Sequence, residues 1–102
     1  MNSIEHFING KTVKGSSKRT AKVFNPATGE VSSNVNLANT ADLNKAVESA
    51  KKAFPSWSQK TPLFRARVLF KFKELIEKNY DELTKIIVSE HGKVYEDAKG
   101  SL

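Results

Sequence analysis

The chain has 102 residues, with 17 Lys and Arg against 11 Asp and Glu, and a formal charge of +6. That length allows one domain at most, and the balance of apolar and charged residues is that of a globular chain, not a disordered one. There is no cysteine, which excludes disulfides, thiolate metal sites and a cysteine nucleophile within these residues, and His6 and His91 are too few for a histidine-based metal cluster.

The first residues, MNSIEHFING, lack the basic and apolar regions of a secretory leader and are not Arg-rich like a transit peptide. Apolar runs such as Ile86-Ile87-Val88 are far too short to cross a bilayer. A cytoplasmic location is the expectation. His6 to Val13 predicts a short hairpin, because Asn9-Gly10 supplies the two positive-φ residues of a type I′ turn. Gly15 to Arg19 reads as a polar loop and Thr20 to Phe24 as a strand. Asn25-Pro26-Ala27-Thr28-Gly29 predicts a turn, with Pro26 fixing φ and Gly29 free to take the left-handed region. Val31 to Leu37 alternates apolar and polar, the pattern of a half-buried strand. Residues 1–38 therefore read as an antiparallel β-hairpin region.

From Asn39 the period changes to that of a helix. Leu43, Ala46, Val47, Ala50 and Phe54 share one face, Asn39 or Thr40 can cap it, and Asp42 suits the positive end of the dipole. Pro55 is expected to end this helix near Ala53. A second helix is predicted from Thr61 as N-cap, with Pro62 at its first position, to about Lys78. Its apolar band holds Leu63, Ala66, Leu69, Phe70, Phe72, Leu75 and Ile76. Asn79 with Glu82 predicts a capping box for a third helix, with Leu83, Ile86 and Ile87 inward and Gly92 just past its end. A fourth helix is predicted from near Tyr95. The expected class is α+β, with hairpins followed by three to four helices over 39–102.

Few residues here suggest chemistry. Lys60, Arg65, Arg67, Lys71 and Lys73 fall within fourteen residues that hold no acid, with Phe64, Phe70 and Phe72 between them. A nucleic-acid face would use cations on phosphates and rings under bases. Phe70 and Phe72 are two positions apart, however, and cannot share a narrow helix face, so solvated cations on an amphipathic helix are the simpler reading. His91 at a helix end reads as a dipole contact, and His6 beside Glu5 as surface. Glu74/Glu77 and Asp81/Glu82 read as solvated carboxylates, and Trp57 as a packing anchor between two helices. Gly10, Gly15, Gly29, Gly92 and Gly100 are too scattered for a phosphate-binding loop. No catalytic, cofactor-binding or metal-binding residue is assigned.

Several motifs together carry a resemblance. In order they are His6-Phe-Ile-Asn-Gly-Lys11, Asn25-Pro-Ala-Thr-Gly-Glu-Val31, Ala46-Val-Glu-Ser-Ala-Lys-Lys-Ala-Phe-Pro-Ser-Trp57, Arg65-Ala-Arg-Val-Leu-Phe-Lys-Phe-Lys-Glu-Leu75, Glu90-His-Gly-Lys93 and Asp97-Ala-Lys-Gly100. Over residues 4 to 102 the chain resembles the N-terminal end of an aldehyde dehydrogenase, most like the CoA-acylating methylmalonate-semialdehyde branch. The resemblance implies a parent enzyme that oxidises malonate or methylmalonate semialdehyde with NAD and passes the acyl group to coenzyme A. It implies a cysteine nucleophile, oxyanion donors and a cofactor loop that lie outside these residues, so the 102 residues alone are expected to be inert. It also implies that this segment is the outer layer of an α/β cofactor-binding domain, cut inside the fourth helix. The parent would be a homo-oligomer, dimer or tetramer, with no nucleic-acid or membrane partner. Arg65 and Arg67 match helix positions of the motif and no substrate clamp. Some members bind a monovalent cation near the backbone of the positions matching Val23 and Phe24; no site is assigned there. The alternatives are another aldehyde dehydrogenase, such as a succinate-semialdehyde type, or a small basic polyanion- or nucleic-acid-binding module.

Overall fold

A computed structural model describes residues 2–102. The elements, in order, are β1 (Asn2–Ile4), β2 (His6–Ile8), β3 (Lys11–Val13), β4 (Thr20–Phe24), β5 (Val31–Asn36), α1 (Thr40–Ser58), α2 (Pro62–Lys78), α3 (Tyr80–His91) and α4 (Tyr95–Gly100). They group into two compact units: residues up to Val23 with Val31–Gln59, and Phe24–Glu30 with Lys60–Leu102.

In the first unit β2 and β3 form the expected antiparallel hairpin, with Phe7 opposite Thr12. Asn9 and Gly10 have φ of 54° and 71°, as the type I′ turn requires. A second sheet has the order β1-β5-β4. Here the expectation of a wholly antiparallel region fails, because β1 runs parallel to β5, with Ser3 opposite Asn34. The pairing is non-local, and no period within three residues could announce it. Ser3 Oγ donates to Asn36 Oδ1 at 3.2 Å, and Asn36 Nδ2 donates to the Lys14 carbonyl at 2.9 Å.

Helix α1 begins at the expected cap. Asn39 Oδ1 accepts from the Asp42 N–H at 2.9 Å, while Asp42 Oδ2 accepts from the Asn39 N–H at 3.1 Å, a reciprocal capping box. The expected stop near Ala53 is wrong, since α1 runs through Pro55 to Ser58. Proline removes one donor and crowds the preceding turn, but here it stands close to the helix end, where few further bonds depend on it. The apolar face of α1 is only partly covered. Leu43, Val47 and Phe54 are exposed, whereas Asp42 is buried and Ala46 and Ser49 are half-buried. Trp57 lies within the last turn of α1, not after a break at Pro55, and is 39% exposed.

In the second unit α2 starts as predicted, with Thr61 Oγ1 accepting from the Phe64 N–H at 3.1 Å and Pro62 at the first position. The predicted capping box of α3 is absent. Asn79 has φ −109° and ψ 20°, and its side-chain amide donates back to the Leu75 carbonyl at 2.8 Å, closing α2 instead of opening α3. Gly92 takes φ +79° after α3, where a left-handed residue was expected. Of the three residues expected inward, Leu83 and Ile87 are half-buried and Ile86 is exposed. The buried residues of α3 and α4 are Thr84 and Ala98, and α3 packs against α4. Tyr80 Oη donates to the Lys99 carbonyl at 2.8 Å, and Tyr95 Oη to Asp81 Oδ1 at 2.6 Å, which clasps the short α4 to α3.

Candidate functional site

The first unit gathers histidine, serine and aspartate at one place. Asp42, 4% exposed, stands in the first turn of α1. Its Oδ1 accepts from the Ser16 N–H at 2.9 Å and from Ser16 Oγ at 2.8 Å, and its Oδ2 from the Asn39 N–H. These donors hold its carboxyl below the ordinary carboxylate range, Asn39 N–H contributing most, against an opposing effect of burial; Ser16 and the charge of His6 also lower it. His6, at the start of β2, has a buried Nε2 with no hydrogen-bond partner in the structure. Gly15 closes the group at φ +84°. A Cβ there would stand 2.8 Å from His6 Nε2 and 3.2 Å from Asp42 Oδ2.

The order of contacts decides what this group can do. In a hydrolytic triad the imidazole lies between serine and carboxylate and takes the serine proton. Here Asp42 bonds Ser16 directly, and His6 Nε2 bonds neither. Ser16 therefore has no imidazole to take its proton, only a carboxylate whose lowered pKa makes it a poor base, and the group is a structural knot tying the loop after β3 to the start of α1. The expectation that His6 is a surface residue is wrong, because its ring is folded against Gly15. Asp42 is marked by its place in a helical first turn, whereas nothing local marks Ser16 or His6, which lie 26 and 36 residues away in the chain.

Beside this knot, a groove of about 640 Å³ between the hairpin and α1 carries Lys11, Lys45, Glu48 and Lys52 on its rim, with Ile8 and Val13 below. It holds no candidate nucleophile with a base. In the second unit, Lys85 pairs with Asp81 at 2.8 Å. Lys85 and the Tyr95 hydroxyl, by their hydrogen bonds, hold the Asp81 carboxyl low, and the same bonds raise Lys85 and Tyr95. These groups are largely solvent-facing and serve α4.

The basic cluster is divided around α2: at about 100° per residue Arg67 and Lys71 share one side, while Arg65 and Lys73 lie on others. Lys60 Nζ lies 4.8 Å from the Phe64 ring centroid, Lys71 pairs with Glu74 at 3.2 Å, and Lys73 with Glu77 at 3.5 Å. Arg65 and Arg67 project on different sides of the helix. Among the described residues no three His, Cys, Asp or Glu are placed to hold a metal, and no helix is long and apolar enough to cross a membrane. Among the described residues the four helices have Asn39, Thr61, Asn79 and Val94 as N-caps, and none of them follows a glycine-rich loop of the kind that receives a dinucleotide phosphate.

What the chain resembles is more informative than its own polar groups. The aldehyde dehydrogenase family model matches residues 12–102. A malonate-semialdehyde dehydrogenase of Pseudomonas aeruginosa is 46% identical over 102 residues, all of this chain and 20% of that protein. A Sinorhizobium meliloti 1021 structure, assigned as a methylmalonate-semialdehyde dehydrogenase and complexed with NAD, superposes with a TM-score of 0.94. It is 52% identical and covers 98% of this chain and 20% of its own. A succinate-semialdehyde dehydrogenase of Burkholderia pseudomallei superposes at 0.88 with 35% identity, covering 95% of this chain and 20% of its own. The chain thus spans about one fifth of the length of these relatives. With its motifs in family order and its fold matched over nearly every residue, the chain belongs to the aldehyde dehydrogenase family.

Proposed function

We propose that these residues are the N-terminal layer of the cofactor-binding domain of an NAD-dependent, CoA-acylating methylmalonate- or malonate-semialdehyde dehydrogenase, inert by themselves. The observation that carries this reading is the exposed apolar surface. Among the described residues Ala98 is the only buried hydrophobic side chain, while Leu43, Val47, Phe54, Phe64, Val68, Phe72 and Leu75 are each at least 44% exposed. Faces of that size on an ordered amphipathic helix belong against another layer. Relatives five times longer, with this same segment folded alike, supply a candidate for that layer.

The residue inventory supports the inertness. The reaction of this family needs a thiolate to attack the aldehyde, and the chain has no cysteine. Ser16 is a poor replacement, being bonded to a carboxylate of lowered pKa and to no imidazole. NAD and coenzyme A would be held by the remainder of the parent polypeptide. The higher identity to the methylmalonate-semialdehyde relative than to the succinate-semialdehyde one favours the first as the parent type. The test is NADH formation by the purified chain with malonate semialdehyde, NAD and coenzyme A. None is expected above the protein-free rate; turnover would refute the reading.

A further inference from the structure

The β2–β3 turn carries a reactive pair of residues. Only at Asn9 is an asparagine of this chain followed by glycine. A backbone nitrogen can attack the side-chain carbonyl carbon of the asparagine before it, unless its own residue's Cβ stands in the way. Gly10 has no Cβ, and one built there would meet nothing within 4 Å, so the attacking nitrogen stands in open space. Both residues are exposed. Among the described residues no hydrogen bond holds the Asn9 side-chain amide or the Gly10 N–H. Other asparagines are less free. Asn25 precedes Pro26, which has no N–H, and the Asn36 and Asn39 amides are held by hydrogen bonds. Asn44 and Asn79 precede Lys45 and Tyr80, whose side chains crowd the nitrogen.

We propose that Asn9 is a self-modification site, at which the Gly10 nitrogen closes a succinimide ring that water opens to aspartate or isoaspartate. Hydroxide takes the Gly10 N–H proton, the nitrogen bonds Asn9 Cγ, and the Cγ–Nδ2 bond breaks. Ammonia leaves with a proton from solvent. Water then adds to one of the two ring carbonyls. Attack at Cγ restores the ordinary backbone with a side-chain carboxylate. Attack at the Asn9 backbone carbonyl breaks its bond to the Gly10 nitrogen and routes the chain through Cβ and Cγ. Ring closure needs rotation about the Asn9 ψ angle, which the closed type I′ turn fixes, so the reaction runs through brief openings of the hairpin. Its two strands have three residues each, and few ladder bonds oppose that opening.

The two products differ in what they do to the fold. Asp-Gly also suits a type I′ turn, and the new carboxylate joins Lys11, Lys45 and Lys52 around one groove. Isoaspartate adds a carbon to the backbone of a two-residue loop that sets His6 opposite Val13 and Ile8 opposite Lys11. That product loosens the hairpin from α1.

Prolonged incubation of the 102-residue chain in mildly alkaline buffer tests the proposal. Intact mass and ion exchange should show one amide becoming an acid, and fragmentation of the tryptic peptide 1–11 should place it at Asn9 and not at Asn2. Conversion at Asn9 should outrun that at any other asparagine by at least about tenfold, and Gly10→Ala should slow it by a similar factor. Because Gly10→Ala also strains the turn and favours its opening, slowing reports the Cβ and not the fold. Asn9→Gln should abolish conversion at this position, and urea should speed it in the original chain. The isolated isoaspartate form should unfold at a lower urea concentration than the original chain, and Asn9→Asp at about the same one. Three results overturn the proposal: an Asn9 that stays intact while a peptide of residues 6–13 converts, conversion spread evenly over the asparagines, or an isoaspartate form as stable as the original chain.

Discussion

Asp42 draws its donors from two directions: Asn39 in its own helical turn and Ser16 in a distant loop. Its lowered pKa means that the charged form is the one the fold holds, so the contribution is complete above the unfolded carboxyl pKa of about 3.9 and is lost as pH falls through the lower folded value. Asp42→Asn should therefore destabilise the chain at neutral pH and flatten the acid limb of its stability profile below about pH 4, read by urea unfolding at a series of pH values. Gly15 offers a second test. Gly10→Ala, with φ +71° and open space around it, should cost about 1 kcal/mol, the ordinary penalty of the left-handed region. Gly15→Ala should cost more, because its Cβ would also meet the His6 ring and Asp42 Oδ2, and adding His6→Ala should remove most of the excess. Only part of this knot could be read in advance. Asn39 and Asp42 announce themselves at helical spacing, whereas Ser16 and His6 are brought in by chain reversals that carry no local signal.

Helix α1 shows which element features local physics decides. Its start was legible because a cap and its partner lie three residues apart; Asn39→Ala should cost about 1 kcal/mol by urea unfolding. Its end was not legible. Pro55 is a strong stop by intrinsic preference, yet the helix continues to Ser58, and Gln59 N–H still donates to the Pro55 carbonyl at 3.2 Å. Pro55→Ala restores a donor and relieves crowding, so it should raise both helicity and stability, by up to about 3 kcal/mol. The strands divide in the same way. The β2–β3 hairpin is written in Asn9-Gly10, while the parallel pairing of β1 with β5 joins segments some thirty residues apart and left no mark in either. Asn79 completes the pattern. Its type suited a cap, but the same side chain is equally able to bond backward, and the Leu75 carbonyl took it.

For the whole molecule, periodicity correctly marked Leu43, Val47 and Phe54 as an apolar face but could not say what covers it. The described residues leave that face in solvent. Function followed the same rule: ordered motifs identified the family, while the residues proposed to perform its reaction lie outside this segment. On the proposed function this segment is a structural layer for chemistry housed in the remainder of a longer enzyme. The most direct test grafts these 102 residues in place of the matching fifth of the Sinorhizobium meliloti relative and assays NAD-dependent oxidation of methylmalonate semialdehyde, with the 102-residue chain alone in parallel. The account predicts turnover by the graft within about tenfold of the parent relative and none by the chain alone. A graft that folds yet has lost turnover, or an isolated chain that turns over substrate, would contradict it.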